Sequence, residues 1–221
     1  GLMVTAEQLR SKLATEKLFM GRERFGDDWI GNQQHLGACC GFAAAFALAR
    51  ARVRRGLSRV MLSGFALYSA INGGRDAGAP LAGAFERIQS HGVPPQTASE
   101  RPNHLWNRVD PQAKAQASKY KGLELYQADD ELELAVGLYC GFDAVVAIQA
   151  SGSGWRVDSD GIVQALRGGG NHAVLLDGIK LSSSGVFLYD MANSWSLNWG
   201  NRGRCYTTWN QHFRSVIGNH K

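Results

Sequence analysis

The sequence contains few cysteines, few prolines and no long apolar run. Its 221 residues include 4 cysteines and 5 prolines, and 19% of the chain is charged. Because no stretch of 18 or more apolar residues is present, we expect no membrane-spanning helix. The opening residues lack a charged region followed by an apolar stretch, so no signal peptide is recognisable. The composition is that of an ordinary globular protein with one large domain or two small lobes.

The four cysteines do not form a recognisable framework. Cys39 and Cys40 are adjacent, and neighbouring cysteines rarely bridge each other because the geometry is strained. No CxxC spacing indicates a metal site. At most one disulfide, involving Cys140 or Cys205, fits this pattern. We therefore predict a cytoplasmic or other reducing location, with delivery into another cell as an open alternative.

Positive charge is only slightly in excess. The formal net charge is +5 and the sequence pI is about 9.2, which alone does not indicate nucleic-acid binding. The densest basic run, at residues 50–55, follows an alanine-rich helical pattern. We expect it to be solvated at the end of a helix, where cations are favourable, rather than to form a nucleic-acid or lipid patch. We predict no nucleic-acid partner, no membrane partner and a monomer.

The pattern of apolar residues changes from helical to extended about halfway along the chain. Helical spacing predicts helices over residues 5–18, 39–55, 62–72 and 81–90. Apolar runs between glycine and serine turns predict strands at 145–148, 172–176, 185–189 and 205–209. Residues 96–122 are polar, and we expect them to cross between two halves of the molecule. This is an α+β organisation of two lobes, with a cleft at their junction.

The segment 32–43 reads Asn-Gln-Gln-His-Leu-Gly-Ala-Cys-Cys-Gly-Phe-Ala and places a cysteine at the first turn of a helix. The free N–H groups and the dipole at that end favour the thiolate of Cys39, which is the nucleophilic form. Gln33 lies upstream, in a loop that can bring its amide beside the Cys39 backbone N–H to form an oxyanion hole. A cysteine that begins a buried helix is equally often a small apolar core residue.

Two further segments supply a base and a residue to orient it. His172 follows Asn171 and a glycine-rich loop, and it begins an apolar strand from which it can face a cleft. Asn193 begins Asn-Ser-Trp-Ser-Leu-Asn-Trp-Gly, and its side chain can fix the tautomer of a histidine. Trp195 can keep water off that hydrogen bond. A structural histidine and a tryptophan-rich core loop are the alternatives.

Together and in this order, the three segments resemble the papain-like cysteine peptidases. His172 lies about 130 residues downstream of Cys39, as in that family. Asn-Gln-x-x-x-Gly-Ala-Cys-x-Gly-Phe-Ala is similar to the family's nucleophile block, Asn-His-Ala-Val to its histidine strand, and Asn-Ser-Trp-x-x-x-Trp-Gly to its asparagine loop. The resemblance implies one papain-like domain over 1–221. Its helical lobe would span about 20–110 and its antiparallel β-barrel-like lobe about 111–215, with the active-site cleft between them.

The resemblance also implies roles for individual residues. It implies a triad of Cys39, His172 and Asn193, with Gln33 in the oxyanion hole. Positions that bind substrate or shield the site fall at Gly37, Asn171, Trp195 and Trp199. The glycine whose backbone binds the peptide as an added strand is either Gly78 or Gly74, and counting back from the following helix favours Gly78.

The chain departs from the family pattern in three ways. Cys40 occupies the position of the family's tryptophan, so two alignments of the nucleophile exist. The gapless match of Gln33, Gly37 and Phe42 favours Cys39. Leu36 stands where secreted members usually have a disulfide cysteine, in agreement with a reducing compartment. The sequence begins without a recognisable inhibitory propeptide, and we expect either a trimmed chain that has lost its leader or a bacterial- or phage-like member controlled otherwise.

The sequence thus predicts a thiol endopeptidase that cleaves a peptide or protein substrate through an acyl-enzyme, without metal or organic cofactor. An acyltransferase, deamidase or isopeptidase on the same fold is the nearest alternative. A non-catalytic binding protein with this fold is the other.

Overall fold

The structure, a computed structural model, describes residues 4–16, 25–150, 155–163, 170–209 and 214–220. The α-helices are α1 (Ala6–Thr15), α2 (Cys39–Arg54), α3 (Gly64–Ile71), α4 (Leu81–Ser90), α5 (Pro111–Gln116) and α6 (Glu131–Tyr139). The strands are β1 (Leu123–Ala128), β2 (Asp143–Ile148), β3 (Ile162–Val163), β4 (His172–Leu181), β5 (Phe187–Ala192), β6 (Arg204–Thr207) and β7 (Arg214–His220). Short 3-10 turns occupy Asp27–Trp29, Trp106–Arg108 and Ala117–Lys119.

The helices predicted from apolar spacing are present with small changes in length. Thr5 caps α1 through a capping box with Gln8, which satisfies backbone N–H groups that have no partner within the helix. The predicted end of α1 at residue 18 falls outside the described residues, and the helix ends at Thr15. Ser63 caps α3 by accepting the N–H of Ala66 at 2.8 Å, so this helix begins later than predicted.

Within the described residues, the strands form one seven-stranded sheet in the order β1-β7-β2-β4-β5-β6-β3. Neighbouring strands are antiparallel except β3 and β6, which are parallel. The α+β prediction is confirmed. The barrel-like description was loose, because the described strands are ordered with β1 and β3 at two edges rather than in a closed ring. The prediction missed β1, β3, β7 and the helices α5 and α6.

The sheet separates two apolar cores, and β4 contributes to both. Ala173 and Leu175 face the core that contains α2, α3 and α4, whereas Val174 and Leu176 face the core that contains α1 and α6. Alternate side chains of a strand point to opposite faces, so a strand covered on both faces is apolar throughout. This position puts the start of β4 directly beside α2, the helix that begins with Cys39.

Two glycines allow α2 and α3 to pack closely. A Cβ on Gly41 would lie 2.3 Å from the carbonyl oxygen of Gly64, and one on Gly64 would lie 2.5 Å from the ring of Phe42. Contacts this short leave no space for a side chain. The close crossing brings α3 against the first turn of α2.

The basic run at the end of α2 is not a solvated helix end, so that prediction was wrong. Arg50 is 0% exposed and Arg54 is 11% exposed. Arg50 contacts Asp143 at 3.2 Å and Asp177 at 2.5 Å, and Arg54 contacts Asp143 at 2.9 Å. Buried charges are tolerated only when they are paired, and the sequence pattern could not show that the acidic partners lie on distant strands.

The buried network continues from the helix into the sheet. Arg204 pairs with Asp177 and also with Asp190, at 3.1 Å. Burial alone would raise the pKa of Asp177, but Arg50 and Arg204 outweigh it and lower that pKa. The network therefore contains three arginines and three aspartates and ties α2 to β2, β4, β5 and β6.

A β-bulge in β4 places Asp177 in this network. The pairing register shifts between Leu176 and Gly178, so Asp177 is the extra residue. Asp177 continues the row of alternate residues that face α2. After the bulge Ile179 faces the opposite core, because the extra residue changes which side chains point to each face.

Replacing Arg50 by methionine should destabilise the fold by about 3 kcal/mol, because removal of one partner leaves buried aspartates under-compensated. Arg55→Met, at an exposed neighbouring position, is the matched control and should change stability by less than about 0.5 kcal/mol. Equilibrium unfolding in urea measures both. Equal stability of the two variants would show that the network does not hold α2 on the sheet.

Candidate active site

Only one of the two adjacent cysteines is accessible. Cys39 begins α2 and is partly exposed, whereas Cys40 is 1% exposed. Successive residues of a helix are rotated by about 100°, so the two side chains face different directions. Burial, together with the neighbouring Cys39, raises the pKa of Cys40 to about 12. Cys40 therefore remains a protonated core thiol.

The thiol of Cys39 is desolvated but lies near several backbone donors. Burial raises its pKa, while the backbone N–H groups of Ala173, Cys40 and Cys39 itself act in the opposite direction. Ala173 immediately follows His172 in β4. The donor from Ala173 thus brings the thiol to the start of the strand that carries His172.

His172 and Asn193 are joined by a buried hydrogen bond. The Nε2 atom of His172 lies 2.8 Å from Oδ1 of Asn193. The same Oδ1 accepts the backbone N–H of Ser194 at 2.7 Å. A backbone N–H can only donate, so the atom facing it must be the amide oxygen. His172 must then donate from Nε2–H, which leaves Nδ1 with the lone pair that can accept a proton.

The environment disfavours a lone charge on either His172 or Cys39. Burial lowers the pKa of His172, and the hydrogen bond to Asn193 offsets only part of this effect. Burial raises the pKa of Cys39. Transfer of the thiol proton to the imidazole creates two opposite charges together, and such coupled groups titrate as a pair rather than singly.

Gln33 is held by hydrogen bonds through both its backbone and its side chain. Its backbone N–H donates to the Ser194 carbonyl at 2.8 Å, and its Oε1 accepts from the Ser194 hydroxyl at 2.6 Å. Its Nε2 donates to the Leu36 carbonyl at 2.7 Å. An amide nitrogen carries two hydrogens, so Nε2 keeps one for a further acceptor. The loop of Gln33 is thus held directly on the loop of Asn193.

Two tryptophans contact the imidazole, and a third packs against both of them. Trp195 lies with its ring centroid 4.7 Å from that of His172, and Trp199 is 5.8 Å from Trp195. Trp155 contacts His172 edge-on at 5.9 Å and stacks on Trp199 at 5.6 Å. Trp195 and Trp155 thus cover the ring of His172 with apolar surface, and Trp199 supports both. Trp155 was not among the predicted site residues, because in the sequence it is an isolated aromatic residue in a glycine- and serine-rich segment.

The predicted substrate-binding positions differ in whether they lie beside Gly37, lie in an open turn or fix the backbone next to His172. The amide of Asn171 accepts from and donates to the backbone of Ala150, both at 2.8 Å, so it ties the residue before β4 to the segment that follows β2. A Cβ on Gly37 would lie 2.9 Å from the nitrogen of Gly78, so these two backbones are in contact. Gly74 lies in an open turn with nothing within 4 Å of its Cβ position. The structure therefore brings Gly78, rather than Gly74, to Gly37.

Among the described residues, no three His, Cys, Asp or Glu side chains converge as they would around a metal ion. Nor does any helix in the described part of the chain have the length and apolar character needed to cross a bilayer. All four cysteines are free thiols.

Comparison with protein families identifies the group to which the chain belongs. The model of the papain family of cysteine proteases matches residues 28–219. The chain is therefore a member of the papain family, as the motifs predicted. No curated protein sequence matches it.

Solved structures of cysteine proteases share its fold at low sequence identity. The proform of the ragweed pollen protease Amb a 11 has 22% identity and a TM-score of 0.70, over 87% of this chain and 62% of that protein. Xylellain from Xylella fastidiosa has 20% identity and a TM-score of 0.69, over 87% and 82%. Bromelain from Ananas comosus, in complex with the inhibitor E64, has 21% identity and a TM-score of 0.66, over 87% and 93%. The chain thus spans less than two thirds of the ragweed proform.

Replacing His172 by alanine should slow the alkylation of Cys39 by iodoacetamide at pH 7 by at least about tenfold. Without the imidazole, the thiol has no proton acceptor, and its raised pKa leaves little thiolate at neutral pH. In the wild type, reactivity should persist below pH 7. The assay uses a Cys140→Ser background, because Cys140 is exposed, and His91→Ala as a control at an exposed histidine. Identical pH profiles with and without His172 would contradict a thiol–imidazole pair.

Proposed function

We propose that this papain-family chain hydrolyses peptide bonds through an acyl-enzyme on Cys39. The observation that carries the proposal is the buried hydrogen bond from His172 Nε2–H to Asn193, because it leaves Nδ1 as the only proton-accepting nitrogen of the imidazole. The partly exposed thiol at the start of α2 and the neighbouring Ala173 N–H support the pairing of this nitrogen with Cys39.

The reaction proceeds in two halves. The Cys39 thiol gives its proton to Nδ1 of His172, and the thiolate sulfur bonds to the peptide carbonyl carbon. The C–N bond then breaks, and the imidazolium protonates the leaving amine. In the second half His172 takes a proton from water, and the resulting hydroxide bonds to the thioester carbonyl carbon. The C–S bond breaks to release the carboxylic acid, and the imidazolium returns its proton to the Cys39 thiolate. Asn193 keeps the imidazole in one orientation throughout.

The negative oxygen formed in each half needs hydrogen-bond donors that are already in place. We assign this role to the free N–H of Gln33 Nε2 and to the Cys39 backbone N–H. The support is the rigidity of Gln33, whose other polar atoms are all occupied by Ser194 and Leu36. A donor that does not reorganise during the reaction stabilises the transition state more than a mobile one.

The proposal extends to substrate and location. Gly37 and Gly78 lie in contact, and we propose that their backbones bind an extended peptide or protein segment. We propose further that the protein works as a monomer in the cytoplasm or another reducing compartment. Four free thiols, two of them buried in apolar cores, are in keeping with such a compartment.

Cys39→Ala should abolish turnover of a mixed peptide library, whereas Cys40→Ala should retain most of it. The reason is that Cys40 is a buried, protonated thiol. Cleavage products identified by mass spectrometry, with and without added free amine, measure hydrolysis and acyl transfer together. Activity that survives in Cys39→Ala but is lost in Cys40→Ala would overturn the assignment, and dominant transfer to the amine would replace the hydrolase by an acyltransferase.

Gln33→Ala should lower kcat/KM by about 10²-fold to 10³-fold, which is the usual effect of losing one oxyanion donor. The neighbouring Gln34 is exposed, so Gln34→Ala serves as the matched control and should leave kcat/KM nearly unchanged. Steady-state kinetics on the best peptide of the library measure both variants. Equal activity of the two would remove Gln33 from the oxyanion hole.

A further inference from the structure

A chain of hydrogen bonds connects Gly37 to Gly78 outside the triad. The carboxylate of Asp76 accepts the Gly37 N–H at 2.8 Å and the Tyr68 hydroxyl at 2.7 Å, both at Oδ1. The Tyr68 hydroxyl in turn accepts the Gly78 N–H at 3.2 Å. One carboxylate and one phenol thus hold two backbone segments that run side by side.

The spacing of these segments is limited in both directions. A Cβ on Gly37 would lie 2.9 Å from the Gly78 nitrogen and 3.3 Å from the Tyr68 hydroxyl, so the segments are already in contact. Gly78 has a φ of 79°, a conformation that residues with a Cβ rarely adopt. Contact prevents the segments from approaching further, and the hydrogen bonds oppose their separation.

The charge states set the direction of each hydrogen bond. Burial and the bond to Asp76 raise the pKa of Tyr68 to about 12, so the phenol stays protonated and donates. Burial alone would raise the pKa of Asp76. The hydrogen bonds from Tyr68 and Gly37 and the nearby His104 and His35 outweigh this effect, so the pKa of Asp76 is lowered. An ionised acceptor makes these hydrogen bonds stronger than neutral ones.

Tyr68 links this pair to the helix of the nucleophile. Its side chain is 0% exposed and lies on α3, against the first turn of α2, where a Cβ on Gly41 would lie 2.9 Å from the Tyr68 Cβ. Asp76 is an exposed loop residue, so its hydrogen bonds rather than packing fix its position. Tyr68 therefore holds the Gly78 segment in a fixed position relative to α2.

We propose that Tyr68 and Asp76 are positioning residues that set the spacing between Gly37 and Gly78, and with it the affinity for an extended peptide. This inference rests on the proposed function for the role of the two glycines.

Steady-state kinetics of Tyr68→Phe, Asp76→Ala and Asp76→Asn test the proposal. Tyr68→Phe and Asp76→Ala should raise KM for peptides by about tenfold with kcat changed less than about twofold, because each removes a hydrogen bond to or from a charged group. Asp76→Asn keeps an oxygen acceptor and should have a smaller effect. The alkylation rate of Cys39 by iodoacetamide should stay unchanged, because this reagent does not bind along the glycines.

Tyr189→Phe is the matched control. Tyr189 is also 0% exposed and donates to a carboxylate, that of Glu131 at 3.3 Å, but it lies in the core on the other face of the sheet. This variant loses an equivalent hydrogen bond and should leave KM unchanged. An equal rise of KM in Tyr189→Phe would mean that the effect is general destabilisation, and a fall of kcat alone in Tyr68→Phe would assign Tyr68 to the chemical step.

Amide hydrogen exchange separates this inference from the proposed function. In the free protein, the Gly37 amide should exchange at least about tenfold faster in Asp76→Ala, and the Gly78 amide in Tyr68→Phe, because each loses its acceptor. This holds even if the wild type cleaves no peptide, an outcome that would refute the proposed function alone. Unchanged exchange of both amides would overturn the positioning role.

Discussion

The pairing of Arg50 with Asp177 and Asp143 is the interaction on which the site geometry depends. Arg50 lies about three helical turns after Cys39 and therefore on the same face of α2. At one end of this face the Cys39 thiol meets the N–H of Ala173, and at the other end Arg50 meets Asp177 in the same strand. A buried ion pair contributes little net stability, but any rotation of the helix would leave its charges unpaired. The pair thus determines which face of α2, and hence which cysteine, is turned towards β4.

The proposed triad combines a helix, a strand and a loop that are fixed to each other at several points. His172 begins β4, Asn193 follows β5, and the network of Asp177, Asp190 and Arg204 joins these strands to β6. The loop before α2 is in turn bound to the loop after β5 through Gln33 and Ser194. Each proposed catalytic group is consequently held by neighbours that take no part in the chemistry, as preorganised sites require.

The sequence predicted the parts of this structure that depend on local pattern. Asn-His-Ala-Val and Asn-Ser-Trp are short motifs, so His172, Asn193 and their hydrogen bond could be expected from the resemblance. The role of Arg50 could not, because a basic run after a helix is usually solvated and its acidic partners are far away in the chain. The pairing of Asp76 with Gly37 could not be predicted either, because the two residues are far apart in the chain. β1 and β7 were missed because they pair with each other across the chain, and pairing between distant segments leaves no short-range signal.

The proposed mechanism requires that Cys39, and not the adjacent Cys40, carries the acyl group. Labelling the protein with an irreversible thiol-directed peptidyl epoxide, followed by fragment-ion mass spectrometry, shows which of the two residues bears the adduct. We expect stoichiometric modification of Cys39, faster than that of a free cysteine, and no modification of Cys40. An adduct on Cys40, or labelling of Cys39 no faster than free cysteine, would contradict it.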